Sequence, residues 1–430
     1  MCNPGRKAME IMKKIRVILI GAGNRGTIYT DIMKQMPEQF QVVGVADALK
    51  EHREDIQKKH GIPDESCFAS WEEILSVPKF ADVAIISTQD SLHYEPAMKA
   101  LAVGYDLLLE KPAAVTEEQC VNIYMQARKY QRKVLVCHVL RYTAFYKKVK
   151  ELIDEGNVGR IMSIAHEECV GNLHQSHSYV RGNWGNTDRS NFMLLTKSCH
   201  DMDLIQWLMG KKCKRLQSFG ALTYFKRENA PDGSPDYCVQ GCPQADVCPY
   251  NAIKLYYDDK ENAWFRTTAT KKVAPTDEDV LAAITNTQYG KCVFKCDNDV
   301  VDHQTVNMEF EDYSTAVFTM NAFNRGGRRT HIMGTKGEML CDFEGDSIQL
   351  YHFEEKKTDV FHPANEPVDG TLAGGHGGGD TGIVYALYAY LVGEKRAEEV
   401  SEIGISCENH RLAFAAEKAR LTNTIINIED

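Results

Sequence analysis

Three glycines near the start of the chain have the spacing of a dinucleotide-binding turn. An apolar run at 15–20 leads directly into Gly21, Gly23 and Gly26, which stand at G-x-G-x-x-G spacing. The first permits a tight turn after a strand, the second lets the backbone approach a pyrophosphate, and the third lets the following helix pack closely. The helix N-terminus adds N–H groups and a partial positive charge. Because such dinucleotides carry hydride, redox chemistry is the first hypothesis.

A carboxylate follows the second apolar run. This run, 40–46, ends in Asp47, about 20 residues after Gly26, where a carboxylate accepts hydrogen bonds from the adenosine ribose. Because its charge would repel a 2'-phosphate, the position predicts NAD and disfavours NADP. The alternative interpretation is that Asp47 only caps the next helix, since aspartate is a preferred N-cap residue.

The elements that would position these residues alternate as in βαβ units up to about residue 139. Short β-rich runs separated by helical stretches indicate a parallel sheet, with strands at 15–20, 40–46, 82–87, 105–109 and 133–137. Beyond a helix at 147–156, runs at 160–170, 300–310, 314–321 and 330–334 alternate as in a broad, mainly antiparallel sheet. Two further helices are predicted at 381–392 and 407–420.

Composition excludes several classes of protein. A chain of 430 residues is too long for one ordinary core, so two domains are expected. The net charge of -10 lacks the basic surplus that nucleic-acid binding requires. No apolar run approaches the roughly 18 residues of a membrane span, and the first residues lack the apolar segment of a secretion signal. The 14 cysteines, several in apolar runs, fit small core residues in a reducing cytoplasm.

A tripeptide after the fourth predicted strand carries a family resemblance. Glu110-Lys111-Pro112 lies at the edge of a parallel sheet where ligands bind. Together with the glycine turn, it resembles the motifs of the Gfo/Idh/MocA oxidoreductases, named for glucose-fructose oxidoreductase, inositol dehydrogenase and a rhizopine catabolism protein. Further landmarks occur in the family's order over nearly the whole chain: Asp47 and the segments 87–93, 138–142 and 197–203.

This resemblance implies an α/β fold with two domains. A Rossmann domain with a doubly wound parallel sheet would occupy 1–139. An α+β substrate-binding and oligomerisation domain with a large, mainly antiparallel open sheet would occupy 140–430, with a cysteine-rich insertion at about 228–290. The exposed face of such a sheet needs a cover, so a homodimer or homotetramer is expected. The resemblance also implies NAD, held by Gly21, Gly23, Asn24, Arg25, Gly26, Asp47, Thr88, Gln89, His93, Glu110 and Lys111.

The resemblance also assigns the proton chemistry of a hydride carrier. Lys111 matches the family's lysine, whose ammonium hydrogen-bonds the reacting hydroxyl, and His200 matches the histidine usually assigned as general base. Better-known dehydrogenases have an aspartate one helical turn before that histidine, where this chain has Thr196. The adjacent Lys197 would either lower the pKa of His200 or contact substrate itself. The alternative for Lys197 is a solvated helix residue.

Polar and aromatic residues before the catalytic segment are candidates for binding a carbohydrate substrate. Sugars are bound by polar side chains over aromatic faces, and His177, Arg181 and Trp184 have these properties. A plain loop or interface role is the alternative for each. The resemblance adds three candidates: Arg141, Tyr142 and Asp201.

Three consecutive glycines, 377–379, cost conformational entropy on folding. Close approach of a ligand to the backbone would account for their presence. Such an approach would present His376 or Asp380 at the rim of the active site. The alternative is a loop that starts a helix with Asp380 as the N-cap.

A group of cysteines suggests a structural metal. Cys238, Cys242 and Cys248 lie within eleven residues, but their spacings are not those of common zinc or ferredoxin motifs. A fourth ligand would have to come from Cys292, Cys296 or His303. The alternative is packed thiols without metal.

These observations lead to two activities and one non-catalytic alternative. The first activity transfers hydride between NAD and a ring hydroxyl of a sugar, cyclitol or sugar derivative. The second is an NAD-dependent redox glycoside hydrolase, as found among relatives of the family: transient oxidation at C3 acidifies the C2 proton, the C1 leaving group is eliminated, water adds, and the hydride returns. The alternative to both is an NAD-sensing regulator.

Overall fold

Six parallel strands form the first sheet of the computed structural model, which describes residues 14–363 and 377–428. They run in the order β3-β2-β1-β4-β5-β6 and comprise β1 (Ile15–Ile20), β2 (Phe40–Ala46), β3 (Cys67–Phe68), β4 (Val83–Ile86), β5 (Asp106–Leu109) and β6 (Val134–Val136). The connecting helices are α1 (Asn24–Lys34), α2 (Lys50–His60), α3 (Trp71–Ile74), α4 (Tyr94–Val103) and α5 (Glu117–Tyr130). The predicted parallel sheet is confirmed; the two-residue β3 is too short to give a sequence pattern.

Both faces of this sheet are covered, which explains its continuous apolar strands. All four residues of β4 are buried, as expected for a parallel strand between two helical layers. Strand order reverses between β1 and β4, and ligands of doubly wound sheets bind at the carboxyl ends of the strands at such a reversal. The sheet therefore puts the glycine turn after β1 at the expected binding position.

Nine strands form the second sheet, in the order β14-β13-β12-β11-β7-β10-β9-β8-β15. They are β7 (Ile161–Cys169), β8 (Cys213–Ala221), β9 (His303–Phe310), β10 (Thr315–Asn321), β11 (Gly327–Gly334), β12 (Gly337–Asp342), β13 (Ser347–His352), β14 (Lys357–Phe361) and β15 (Ile426–Asn427). All neighbours are antiparallel except β7 and β10. The expected large, mainly antiparallel sheet is thus confirmed.

The helices of this part pack on the second sheet or lie in the connections between its strands. They are α6 (Ala144–Asp154), α7 (Asn172–His174), α8 (Met193–Thr196), α9 (Cys199–Met209), α10 (Ala263–Thr270), α11 (Asp277–Asn286), α12 (Gly379–Val392) and α13 (Ile403–Thr422). Helices α10 and α11 lie where the sequence is charged and loosely patterned, because only a few residues, among them Phe265 and Val280, face their small core. Within the described residues, no helix combines the length and apolar character needed to cross a bilayer.

Candidate active site

The turn after β1 forms a backbone cradle at the reversal point of the first sheet. Gly21 has a φ of +91°, and a Cβ atom there would lie 2.7 Å from the backbone of Ser87. A Cβ at Gly26 would lie 2.3 Å from the carbonyl oxygen of Gly21. Gly23 has open space beside it, and no side chain of the described residues caps α1. The first N–H groups of α1, beginning at Asn24, therefore fit the pyrophosphate of NAD.

Asp47 lies directly after β2 and joins two backbone segments through its carboxylate. Oδ2 accepts a hydrogen bond from the N–H of Ala22 at 2.6 Å, and Oδ1 accepts one from the N–H of Leu49 at 2.8 Å. Leu49 is the N-cap residue of α2, so Asp47 does not occupy that position. The carboxylate lies beside the glycine turn, which fits the ribose contact expected of it.

We expect Asp47→Ser to raise the KM for NAD by about tenfold or more, since a hydrogen bond to a charged group contributes about 1.5–3 kcal/mol. The substitution also removes the charge that repels a 2'-phosphate, so the preference for NAD over NADP should fall. Steady-state kinetics with both nucleotides measure the two effects. Thermal unfolding of the variant checks that the turn remains folded, and an unchanged ratio of kcat/KM for the two nucleotides would contradict the assignment.

The loop after β4 packs on the glycine turn. Ser87 Oγ donates to the carbonyl oxygen of the first glycine at 2.7 Å. His93 is buried, with its ring nitrogens 2.7 Å from the carbonyl oxygen of Pro112 and 3.1 Å from that of Thr88. Gln89 is exposed. His93 thus holds the loop to the Glu-Lys-Pro motif, while cofactor contact by Thr88, Gln89 and His93 stays a prediction.

An ion-pair network connects α1, the Glu-Lys-Pro motif and α12. Arg25 Nε donates to Glu110 Oε1 at 2.8 Å, and its two Nη atoms donate to both carboxylate oxygens of Asp380, at 3.0 and 2.6 Å. Burial alone would raise the pKa of Glu110, but the charge of Arg25 outweighs it and lowers the pKa below its ordinary value. Gly378 is the N-cap of α12. Asp380 therefore binds Arg25 of α1 instead of capping its own helix.

Lys111 and His200 both lie by the carboxyl edge of the first sheet. Lys111 follows β5 and is half-buried, and its Nζ donates to the carbonyl oxygen of Thr196 at 2.8 Å. His200, the second residue of α9, is 4% exposed and packs edge-on against His138, with ring centroids 5.9 Å apart. An ammonium and an imidazole, the groups that hydroxyl oxidation needs, thus share the carboxyl edge of the first sheet with the glycine turn.

Two buried histidines pack behind His200. His138 is fully buried, and neither ring nitrogen has a hydrogen-bond partner among the described residues; burial lowers its pKa well below the ordinary value. His410 packs on it, with centroids 5.5 Å apart, and its Nε2 accepts the N–H of Ala113 at 3.0 Å. Burial lowers the pKa of His410 to about 3. The ring that borders His200 is therefore neutral, and so is the His410 ring that packs on it.

Lys197 lies in a charge cluster on the inner face of β7. Its side chain is 16% exposed, and Nζ is 3.2 Å from Glu168 Oε1. Arg328 contacts the same carboxylate and donates through Nε to Asp201 Oδ1 at 2.8 Å. Burial lowers the pKa of Lys197, although the charge of Glu168 opposes this. A solvated role for Lys197 is therefore wrong, and Asp201 is an internal partner of Arg328.

Sheet register forms this cluster, which sequence analysis missed. Glu168 and His166 of β7 stand opposite Arg328 and Thr330 of β11. His166 is 2.8 Å from Thr330 Oγ1 and 3.0 Å from Asp201 Oδ1. The sequence does show polar residues at inward positions of β7, which is a signal for a buried polar cluster. Their partners depend on the register of β7 against β11, which the sequence of one strand does not reveal.

Arg141 and Tyr142 join the start of the second part of the chain to α9 and to the segment before α13. Arg141 makes a two-pronged ion pair with Asp203 at 2.6 and 2.7 Å, and both are buried. The Tyr142 hydroxyl accepts the N–H of Ser401 at 2.8 Å. The polar atoms of both side chains thus make hydrogen bonds within the protein. Substrate contact by either residue stays a prediction.

The remaining substrate candidates do not form one group. His177 stacks on Phe265, with ring centroids 4.1 Å apart, and Arg181 donates to carbonyl oxygens of the cysteine-rich insertion. Trp184 donates through Nε1 to Asp90 Oδ2 at 2.9 Å, beside the loop after β4. The structure therefore does not bring His177 and Arg181 into contact with Lys111. His376 lies outside the described residues.

The structural metal suggested for the cysteine group is not supported. Among the residues at 14–363 and 377–428, no three histidine, cysteine, aspartate or glutamate side chains are placed to hold a metal ion. This includes Cys238, Cys242 and Cys248, as well as Cys292, Cys296 and His303.

Comparison with known proteins places this geometry in a family. Residues 15–138 match the Gfo/Idh/MocA model described as an oxidoreductase family with an NAD-binding Rossmann fold, and 150–381 match the model of its C-terminal alpha/beta domain. The Bacillus subtilis (strain 168) protein named oxidoreductase YteT is 24% identical over 380 residues, which cover 83% of this chain and 84% of that protein.

A second relative and a solved structure bear names of dehydrogenases. The inositol 2-dehydrogenase/D-chiro-inositol 3-dehydrogenase of Lactiplantibacillus plantarum is 22% identical, over 47% of this chain and 55% of its own length. Levoglucosan dehydrogenase in complex with NADH and levoglucosan has a TM-score of 0.70 at 16% identity, and the match covers 97% of this chain and all of that one; at this identity the likeness shows the fold alone. The two family models together span most of the chain, which therefore belongs to the Gfo/Idh/MocA family of NAD-binding oxidoreductases.

Proposed function

We propose that this protein oxidises or reduces a ring hydroxyl of a sugar, cyclitol or sugar derivative with NAD. The observation that carries the proposal is the shared position of Lys111 and His200 at the sheet edge that also bears the glycine turn. The relative named inositol dehydrogenase and the structural neighbour that binds levoglucosan support a polyhydroxylated ring as the substrate.

Each side chain has a definite task in this chemistry. NAD, when bound, supplies the acceptor for the hydride of the carbinol carbon. Lys111 would hold the hydroxyl oxygen and stabilise the negative charge that develops on it. His200 would receive the hydroxyl proton. The ring of His138 behind it has no hydrogen-bond partner among the described residues, so His138 would not relay that proton.

A redox glycoside hydrolase is the second candidate, favoured by the position of Lys197. Cleavage through a transient ketone requires a further base that removes the proton from the neighbouring carbon. A lysine whose pKa is lowered by burial can serve as such a base. Lys197 meets this requirement next to Thr196, whose carbonyl oxygen binds Lys111.

One assay separates the two candidates. The protein is incubated with NAD and either free sugars and cyclitols or chromogenic glycosides, and NADH and released aglycone are measured separately. The oxidoreductase is expected to form stoichiometric NADH without aglycone. The hydrolase would release aglycone with catalytic NAD and no net NADH, and Lys197→Met should lower that release by about 10²- to 10⁴-fold. Neither product across the panel, with NAD binding intact, would contradict both.

A further inference from the structure

Four aromatic rings form a row between the insertion and the loop after β4. Trp264, near the start of α10, packs edge-on against His174, with ring centroids 5.1 Å apart. The ring of His174 lies 5.8 Å from that of Tyr179, which lies 6.0 Å from that of Trp184. Trp184 in turn donates to Asp90 of the loop at 2.9 Å. The row therefore connects the insertion with the loop that packs on the glycine turn.

The segment that carries three of these rings begins at the charge cluster around Lys197. It follows β7 directly, and Glu168 near the end of that strand is the ion-pair partner of Lys197. Burial lowers the pKa of His174 well below its ordinary value, and the charges of Lys197, Arg328 and Lys111 lower it further. The surroundings of His174 therefore include both lysines to which the proposed chemistry assigns a task.

His174 is a neutral ring among these cations. It is half-buried, and its contacts to Tyr179 and Trp264 are made through the ring. A lysine ammonium only donates hydrogen bonds, whereas a neutral imidazole has one nitrogen that accepts them. A hydroxyl of the substrate that donates its hydrogen therefore finds an acceptor in His174 that neither Lys111 nor Lys197 provides.

Trp264 is held in place by its neighbour in the chain. Phe265 stacks on His177 with ring centroids 4.1 Å apart, and His177 Nδ1 lies 2.9 Å from the hydroxyl oxygen of Tyr256. These three side chains are buried, whereas Trp264 is 39% exposed. Ligand sites combine aromatic walls with a few placed polar groups. A fixed and partly open indole beside an imidazole has this composition.

We propose that Trp264 and His174 form the outer wall of the substrate site, with the indole covering one face of a sugar or cyclitol ring and the imidazole accepting a hydrogen bond from one of its hydroxyls. The insertion would in this way contribute to substrate selectivity. This inference rests on the proposed function, because it takes a polyhydroxylated ring as the substrate.

Binding of sugar probes to the full-length protein with saturating NADH tests the inference, because reduced cofactor accepts no hydride and the complex does not react. Calorimetry with myo-inositol, levoglucosan and methyl β-D-glucoside gives the dissociation constants. For a probe that binds, we expect Trp264→Ala to raise the constant by about tenfold, the effect of uncovering on the order of 50 Å² of apolar surface. Trp264→Phe keeps an aromatic face and should raise it far less.

His174→Phe keeps the ring that packs on Trp264 but removes its nitrogens. It should raise the same dissociation constant by about threefold to tenfold, the loss of one hydrogen bond. Leu281→Ala is the control, since Leu281 is an apolar side chain of α11 in the same insertion and is exposed. It should leave sugar binding unchanged, and all variants should bind NADH as the unaltered protein does.

The outcomes separate this inference from the proposed function. Unchanged sugar affinity in Trp264→Ala or in His174→Phe, or an equal loss in Leu281→Ala, would overturn the inference and leave the proposed function standing. Probe binding that these variants weaken, without NADH or aglycone formed from any probe in the presence of NAD, would overturn the proposed function alone. An unaltered protein that binds none of the probes would overturn both.

Discussion

Replacing Lys111 with methionine is expected to reduce kcat by about 10²- to 10³-fold, the loss typical of removing one group that stabilises a developing oxyanion. Methionine keeps most of the length and apolar contacts of the side chain, but it removes the ammonium that donates to Thr196. The dissociation constant of NAD should change far less, because the glycine turn and Asp47 are untouched. Steady-state kinetics and direct NAD binding measure the two quantities.

Lys129→Met is the matched control, since Lys129 is exposed on α5 and distant in the chain from the motif. It should leave both kcat and NAD binding unchanged. If Lys111→Met retained full turnover as well, Lys111 would have no part in stabilising the charge that develops on the substrate oxygen. If the unaltered protein bound NAD but showed no NAD-dependent activity, an NAD-sensing regulator would be favoured.

Replacing Arg328 with methionine is expected to lower the free energy of unfolding by about 3–5 kcal/mol, because it leaves buried carboxylates without their cation. Arg328 serves both Glu168 and Asp201, and all three are buried. Urea denaturation of the variant and the unaltered protein gives the difference. Arg329→Met, one position along the same strand, is the control: its exposed pair with Glu167, at 3.8 Å, should contribute no more than about 1 kcal/mol.

The loss in Arg328→Met should depend on pH. Burial raises the pKa of Asp201, but Arg328 and His166 outweigh burial and hold it at about 2, below the value of about 3.9 in an unfolded chain. The stability that this carboxylate contributes is therefore present above pH ~4 and is lost as the pH falls towards 2. The difference between variant and unaltered protein should shrink over that interval. A constant difference would mean that methionine acts through packing alone.

Local sequence patterns were sufficient to predict the first sheet and the residues that it contributes to the candidate site. The apolar run before Gly21, the interval to Asp47 and the strand before Glu110 each depend on a few adjacent residues. In a parallel sheet, the carboxyl ends of the strands meet at one edge whatever lies between them. The expected neighbourhood of the glycine turn, Asp47 and Lys111 follows from that rule.

The second sheet and its contribution to the site depend on pairing between distant strands. Nothing near Glu168 in the chain indicates Arg328, and only the register of β7 against β11 makes them partners. The same dependence on distant parts of the chain explains why the sequence did not predict the positions of His177 and Arg181. Their chemistry suits a sugar, but the insertion folds back on them and uses the ring for stacking and the guanidinium for carbonyl oxygens.

Strands β8 and β9 run antiparallel side by side, with Ala221 opposite His303. The cysteine-rich insertion therefore leaves the second sheet and re-enters it at two adjacent positions. Because the entropy of closing a loop grows only slowly with its length, a segment attached in this way can be gained, exchanged or lost during evolution without shifting the strands that carry Glu168 and Arg328. The strand pairing that builds the second sheet therefore does not depend on the length of the insertion.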